Sequence, residues 1–369
     1  MEEKKERKMR DSGIPWIGEV PEGWEFSKIK YHCTMKSGDN ITALDISDNG
    51  EYPVYGGNGL RGFYKIYNKN GNHILIGRQG ALAGNVHLVN GKFWATDHAV
   101  IVTLKNDVFI NYFFRMLESM NLNQYAFDTA AQPGLSVSRI MNLNIVLPNL
   151  KEQHRIADFL GSKCSEIDTL IENLRARMES AKEYKKAVIT EAVTKGLDKD
   201  AKMKDSGVEW IGEIPEGWKV VRFKHIASIK SNLVQPDKYM KYPQIAPDNI
   251  EKDTGRLLSH QTVEESGVIS GNHLFYRGQI LYSKIRPNLN KLTVAPFDGL
   301  CSADMYPIES KLPTLFMVYS MLSTYFVSQV SLIIQDRVKM PKINQEELGE
   351  IKVAVPSQQE MLTIADYLD

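Results

Sequence analysis

"DSGIPWIGEVPEGW" occupies Asp11–Trp24 and "DSGVEWIGEIPEGW" occupies Asp205–Trp218. Eleven of the fourteen letters agree at a spacing of 194 residues, so one phrase is written twice, and an internal duplication decides the architecture before any single element does. A phrase built on proline, glycines and two tryptophans has neither a helical nor a strand period; it reads as a turn-rich docking segment ahead of a folded body. A second phrase closes each body. "IVLPNLKEQHRIADFL" (Ile145–Leu160) returns as "VAVPSQQEMLTIADYL" (Val353–Leu368), with Pro148 matching Pro356 and Ile156-Ala157-Asp158 matching Ile364-Ala365-Asp366. The spacing there is 208, so the second body is 14 residues longer. Constant frames enclose divergent contents.

At 369 residues and 43% hydrophobic content the chain has room for two or more domains, each with its own core. Cys33, Cys164 and Cys301 are far apart and odd in number; neither a disulfide framework nor a zinc knuckle is indicated, and a reducing cytoplasm fits. The N-terminal "MEEKKERKMR" has no apolar core of a secretion signal. Thr314–Ile334 is long enough to span a bilayer, but Ser320, Ser323, Thr324, Ser328, Gln329 and Ser331 interrupt it, and it reads as a buried core helix. The formal net charge is zero, which hides a split. Residues 24–149 hold 11 Lys/Arg against 9 Asp/Glu and residues 218–356 hold 17 against 13, so the bodies are mildly basic and the connecting segments acidic.

In the first body "HILIG" and "AVIVTL" are short β-branched runs followed by the apolar helical stretch "VFINYFFRMLESM"; in the second, "QILYS" and "MYPIES" precede the helical Thr314–Ile334 region. Both read as α/β units. After Pro148 the pattern changes. Leu160, Cys164, Ile167, Ile171, Leu174, Met178, Ala181, Lys185, Val188 and Ala192 recur at alternating spacings of four and three, the seam of a coiled coil about 50 Å long.

These residues carry a family likeness. The opening phrase, the closing phrase and the long helix, repeated around two divergent bodies, resemble the specificity subunit of type I restriction-modification systems. The resemblance implies an α/β (α+β) chain with two target recognition domains in pseudo-twofold repeat, joined by a long coiled-coil helix. On the sequence this places an N-terminal docking segment at 1–23, a first recognition domain at 24–149, spacer helix and linker at 150–204, a second docking segment and recognition domain at 205–356, and the start of a second spacer helix at 357–369. It further implies double-stranded DNA and two methyltransferase subunits as partners, with restriction subunits where the system has them. S-adenosylmethionine and ATP would sit on those partners, no cofactor or metal on this chain, in the cytoplasm and away from any membrane. In the family the second closing phrase leads into a second long helix, whereas this sequence stops at Asp369. The expectation is therefore a truncated spacer whose seam residues Leu160, Ile167, Ile171, Leu174, Met178 and Val188 need cover, self-association being one route.

Catalytic signatures are missing. No two prolines are adjacent, so the Asn/Asp-Pro-Pro-aromatic loop of an amino-methyltransferase is absent, and no GxxxxGK[ST] loop exists. The rival enzyme reading is a metal-dependent nuclease using Asp298, Glu309 and Lys311; the other rival is a tandem protein-interaction module. What remains are polar, basic, glycine-rich loops. Three lie in the first body, "YGGNGLRG" (Tyr55–Gly62), "GRQGALAGN" (Gly77–Asn85) and "TAAQPGLSVSR" (Thr129–Arg139), and two in the second, "SKIRPNLNK" (Ser283–Lys291) and "DRVKMPK" (Asp336–Lys342). Glycine lets backbone approach phosphate closely, while Arg, Gln and Asn offer bidentate bonds to purine edges. The DNA-contact candidates are Arg61, Arg78, Gln79, Asn85, Gln132 and Arg139, then Lys284, Arg286, Asn288, Lys291, Arg337, Lys339 and Lys342.

Overall fold

A computed structural model describes residues 7–369 apart from Pro15, Ala81, Asn106 and residues 127–133. The chain divides into two compact units, Met1–Glu172 and Asn173–Asp369. Each contains one copy of the repeated phrase, and the letters the two copies share are those the backbone needs. Asp11 Oδ1 accepts from Gly13 N at 2.9 Å and Ser12 Oγ from Ile14 N at 3.0 Å; Asp205 and Ser206 do the same for Gly207 at 2.9 Å and Val208 at 3.1 Å. These side chains mimic a backbone turn. Gly18 and Gly212, at φ +72° and +70°, carry the chain back so that Ser12 N and Ser206 N reach their carbonyls at 2.9 and 3.0 Å. A side chain there would be forced into the left-handed region. The result is a two-stranded clasp, Met9–Asp11 on Glu19–Pro21 and Met203–Asp205 on Glu213–Pro215.

The likeness extends into the bodies, where the letters no longer show it. In unit 1 a four-stranded antiparallel sheet runs in the order Cys33–Ser37, Ala99–Leu104, His73–Gly77, Val86–Val89. Unit 2 repeats that order with Ala227–Ile229, Met305–Ser310, Ile280–Ser283, Leu292–Val294. The period-two alternation of a strand sorts the side chains into two layers. Ile74, Ile76, Val100 and Val102 pack on Phe113 and Leu117 of the helix Ile110–Ser119, while Leu75 and Ile101 meet Phe93 and Ala95 on the opposite face. In unit 2, Ile280, Tyr282 and Ile308 face Phe316, Met317 and Phe326, while Leu281 and Met305 face Ile245, Phe275 and Cys301. A second sheet in each unit contains one parallel pair, Trp94-Ala95 beside Val54-Tyr55 and Gln244-Ile245 beside Leu300-Cys301.

The apolar stretch at Thr314–Ile334 departs from expectation. It is two helices, Thr314–Leu322 and Thr324–Ile334, bent by 59° at Ser323. Ser323 Oγ donates to the Ser320 carbonyl at 2.6 Å, offering the backbone an alternative to the next helical bond. The groups freed by the break are taken up nearby: Asn290 Nδ2 donates to the Met321 carbonyl at 3.1 Å and Thr190 Oγ1 accepts from Thr324 N at 2.9 Å. Both helices line the core of unit 2, and among the described residues no single helix is long and apolar enough to cross a membrane.

The longest helix, Leu150–Lys195, has 46 residues, about 70 Å at 1.5 Å per residue. In unit 1 its first turns are fixed by Gln153, which donates to the Pro148 carbonyl at 2.9 Å and accepts from Phe109 N at 2.8 Å, and by His154 stacked on Phe109. In unit 2 its last turns bury Ile189, Ala192 and Val193 in the same core as Trp218. Between these anchors the seam stands in solvent, Ile167, Ile171, Leu174 and Met178 being 54, 40, 48 and 61% exposed. Leu160 and Val188 are half-buried. The three cysteines are free, Cys33 and Cys301 buried.

Candidate nucleic-acid interface

The loops singled out in unit 1 converge, backbone against backbone. A Cβ on Gly77 would lie 2.0 Å from the Gly57 carbonyl oxygen, so Tyr55–Gly62 and Gly77–Asn85 can pack this closely only because position 77 is glycine. Asn85 Nδ2 donates across the same junction to Asn58 Oδ1 at 3.3 Å. The third loop joins through a bridge between Gln79 and Gly134, with Leu135 N donating to the Arg78 carbonyl at 2.9 Å. Gln132 lies outside the described residues.

Unit 2 repeats the bridge and three of the backbone bonds around it. Ile285 bridges Lys342, and Ile343 N donates to the Lys284 carbonyl at 3.0 Å. The pairs Arg78 N to His98 O at 2.9 Å and Gly77 N to Asn85 O at 2.8 Å recur as Lys284 N to Asp304 O at 3.0 Å and Ser283 N to Lys291 O at 2.9 Å. Arg78 thus corresponds to Lys284, Gln79 to Ile285, Asn85 to Lys291, His98 to Asp304 and Gly134 to Lys342. One backbone device carries two different sets of side chains.

The candidate side chains fall into two groups. Arg61, Arg78, Gln79, Arg139, Arg286, Asn288 and Lys339 are exposed. Of these, Arg78 donates to Ser37 Oγ at 3.1 Å, and Arg139 lies 5.5 Å from the Tyr125 ring with a 3.5 Å bond to that residue's carbonyl. The others named in unit 2 are held within the fold. Arg337 forms a two-toothed pair with Glu347 and also donates to the Lys342 carbonyl. Lys342 pairs with Asp304 at 3.0 Å; Lys291 donates to the Pro247 carbonyl at 2.8 Å and meets Asp248 at 3.5 Å; Lys284 lies over the Tyr306 ring. Arg337 and Lys342 therefore brace the second loop, a role that residue type and loop composition did not reveal. The signal was present in "NQEE": Asn344 Oδ1 accepts from Glu347 N and Glu347 accepts from Asn344 N, a capping box that fixes the carboxylate in place for Arg337. The Arg337 guanidinium holds the Glu347 carboxyl below the usual carboxylate range. Burial, reinforced by the charge of Lys284, pushes the His273 imidazole down and keeps it neutral near pH 7.

The nuclease constellation is not assembled. Asp298 accepts from Arg277 N at 2.7 Å at the start of one sheet's strand, Glu309 pairs with Lys230 at 2.7 Å on a strand of the other sheet, and Lys311 donates to the His225 carbonyl. Among the described residues no group of three or more His, Cys, Asp or Glu could hold a metal ion. Ser27, His32 and Asp107 do meet in unit 1, His32 Nε2 and Nδ1 each 2.6 Å from Ser27 Oγ and Asp107 Oδ2. In unit 2 the matching positions of the same strand and short helix are Val221 and Ile226. The fold thus closes this spot with polar or apolar contacts alike, and the cleft's Gly13 and Ile14 N–H groups are already given to Asp11 and Ser12.

Comparison with known proteins agrees with this frame. Residues 21–180 match the type I restriction modification DNA specificity domain. The chain is 36% identical over 239 residues to the type I restriction enzyme EcoDI specificity subunit of Escherichia coli, covering 61% of this chain and 54% of that one. It is 27% identical over 387 residues to the MjaVIII specificity subunit of Methanocaldococcus jannaschii, covering 95% and 86%. The matches to EcoDI and to the EcoprrI subunit of Escherichia coli span 54% and 38% of those relatives. Among solved structures, a chain from work on complex assembly and conformational transition of the type I R-M system aligns over 95% of this chain and 90% of its own, with a TM-score of 0.64 at 15% identity. The HsdS subunit of Thermoanaerobacter tengcongensis aligns over 95% and 89% with a TM-score of 0.51 at 16% identity. With two repeated units, one long helix and these relatives, the chain carries a type I restriction modification DNA specificity domain over residues 21–180 and is similar along its length to specificity subunits of type I restriction enzymes.

Proposed function

We propose that this chain is the DNA-reading subunit of a type I restriction-modification complex, each unit recognising one half of a bipartite duplex site. The observation that carries this is the junction described above: the same backbone pairing in both units, flanked by the exposed Arg78 and Gln79 in one and by the exposed Arg286 and Lys339 in the other. A rigid frame with exchangeable, mostly polar side chains suits readout of base edges, whose donor and acceptor pattern differs for each base pair. In this reading the chain is non-catalytic and works in the cytoplasm. S-adenosylmethionine sits on two methyltransferase partners and ATP on restriction partners where the system carries them.

Arg286 tests it. The residue is exposed, sits at φ +43° and precedes the buried Pro287, so its presentation is fixed. Arg286→Ala is expected to weaken specific binding by about 1–3 kcal/mol and relax one base position. Measured by fluorescence anisotropy across a salt series, a phosphate contact would instead weaken all sequences and flatten the salt dependence. An unchanged isotherm removes Arg286 from the interface; no preference for any duplex sequence in the complex sinks the DNA reading.

The exposed seam belongs to the same proposal. Burying six apolar side chains at about 25 cal/mol per Å2 is worth several kcal/mol, enough to favour a partner helix over water. For the purified chain the partner is a second copy in antiparallel register, which moves Lys185 away from its equivalent. Light scattering at micromolar concentration should report a dimer, and Ile171→Lys with Leu174→Glu should return a monomer. A monomeric wild-type chain overturns the pairing.

A further inference from the structure

The loop between Ile334 and Ile343 ends in an apolar tip that the fold goes to some length to hold in water. Val338 is 86% exposed and Met340 51% exposed. Neither belongs to a core cluster of the described residues. A flexible loop could fold such side chains back, but this one is braced on both flanks. Arg337 is tied to Glu347 and to the Lys342 carbonyl, and its N–H donates to the Ile334 carbonyl at 3.0 Å. Lys342 is tied to Asp304 at 3.0 Å and bridged to Ile285, while the Pro341 carbonyl accepts from Arg286 N at 2.8 Å. Between the braces Met340 N donates to the Val338 carbonyl at 3.1 Å around Lys339, whose φ is +74°. That is a tight three-residue turn in a conformation side chains other than glycine rarely adopt. Strain of this kind persists where the surroundings over-determine it, and it points from the outlier toward a use.

The charges near the tip are arranged unevenly. The cations that brace it, Arg337 and Lys342, are neutralised by carboxylates. Arg286, on the loop bonded to this one, and Lys339, at the turn itself, are exposed with no ion pair among those described. The tip therefore presents a branched apolar side chain next to the exposed Lys339, on a loop bonded to that of Arg286. For duplex DNA those cations meet phosphates or guanine, and the major groove displays one apolar group, the C5-methyl of thymine.

We propose that Val338 is a specificity-determining residue that packs on the C5-methyl group of a thymine in the half-site read by unit 2. This rests on the DNA-reading function proposed above and adds the base class that the tip selects. The side chain has no donor or acceptor, so it discriminates only by apolar burial. Removing one methyl from such a contact costs about fourfold in affinity.

The test uses the full chain in its methyltransferase complex and a duplex bearing the sequence that the complex methylates. Each thymine of the unit 2 half-site is replaced in turn by deoxyuridine, which removes the C5-methyl and nothing else. One replacement should weaken wild-type binding about fourfold and leave Val338→Ala, already weaker on the thymine duplex, unchanged. Val338→Ala should bind thymine and deoxyuridine duplexes alike. If no replacement affects the wild type, if the half-site has no thymine, or if Val338→Ala keeps the full sensitivity, the contact is wrong while the DNA-reading function stands. If the complex binds no duplex selectively, that function falls and takes the contact with it.

Discussion

Trp218→Ala should lower the stability of unit 2 by about 3–5 kcal/mol, whereas Trp24→Ala, the same letter of the same phrase, should cost unit 1 only about 1–2 kcal/mol. Trp218 is 2% exposed and packs with Ile189 and Val193 from the last turns of the long helix; a Cβ on Gly196 would lie 3.2 Å from its ring. Its Nε1 donates to both carboxylate oxygens of Glu360 on the C-terminal helix Gln358–Leu368, each at 3.1 Å. One side chain therefore joins the clasp, the long helix and the closing phrase. Truncation leaves a large cavity and strips a carboxylate of its donor. Trp24 is only half-buried and lines an open apolar groove with Trp16, Val146 and Ile156, and its Nε1 has no partner among the described residues. Urea unfolding followed by hydrogen exchange separates the units: the amides of Lys219–Arg222 and Lys352–Val355 should lose most of their protection in Trp218→Ala. Equal losses for the two substitutions would show that the ring's burial, and not the phrase, has been misjudged.

That contrast shows what the letters could and could not carry. Asp11, Ser12, Gly18 and their repeats were legible because each makes a local bond within a few residues, and local geometry leaves a local signature. The strands were legible where β-branched runs alternate between two buried faces, as in His73–Gly77 and Ala99–Leu104. The equivalence of the loops was not. Gln79 meets Gly134 and Ile285 meets Lys342 across more than fifty residues of chain, through backbone groups that every residue possesses. No residue type is required at those four positions, so none is shared. Likewise Arg337 and Lys342 had the composition of free cations, and only the placement of Glu347 and Asp304 turned them into braces. The long apolar run at Thr314–Ile334 gave its burial correctly but not its break, because the competing Ser323 hydroxyl bond is local while its accommodation depends on Asn290 and Thr190 from distant segments.

Exchanging residues 24–149 for the corresponding body of a related specificity subunit should replace one half of the methylated sequence and leave the other half intact. The cut is placed by the structure of unit 1. Glu25–Lys28 pairs with Asn144–Leu147, so both strands of that ladder travel together, while the Met9–Asp11 clasp stays behind intact. All three converging loops of unit 1, with Arg61, Arg78, Gln79, Asn85 and Arg139, lie inside the exchanged segment. The braced loops of unit 2, Ser283–Lys291 and Asp336–Lys342, are built from unit 2 residues alone. Each base pair altered costs about 1–3 kcal/mol, nearly additively, so several changes within one half displace the old sequence by orders of magnitude. Methylation-sensitive sequencing of a host carrying the hybrid reads both halves at once. A change in both halves would mean that loops of one unit constrain readout by the other, and a hybrid that keeps the parental sequence would place recognition outside residues 24–149.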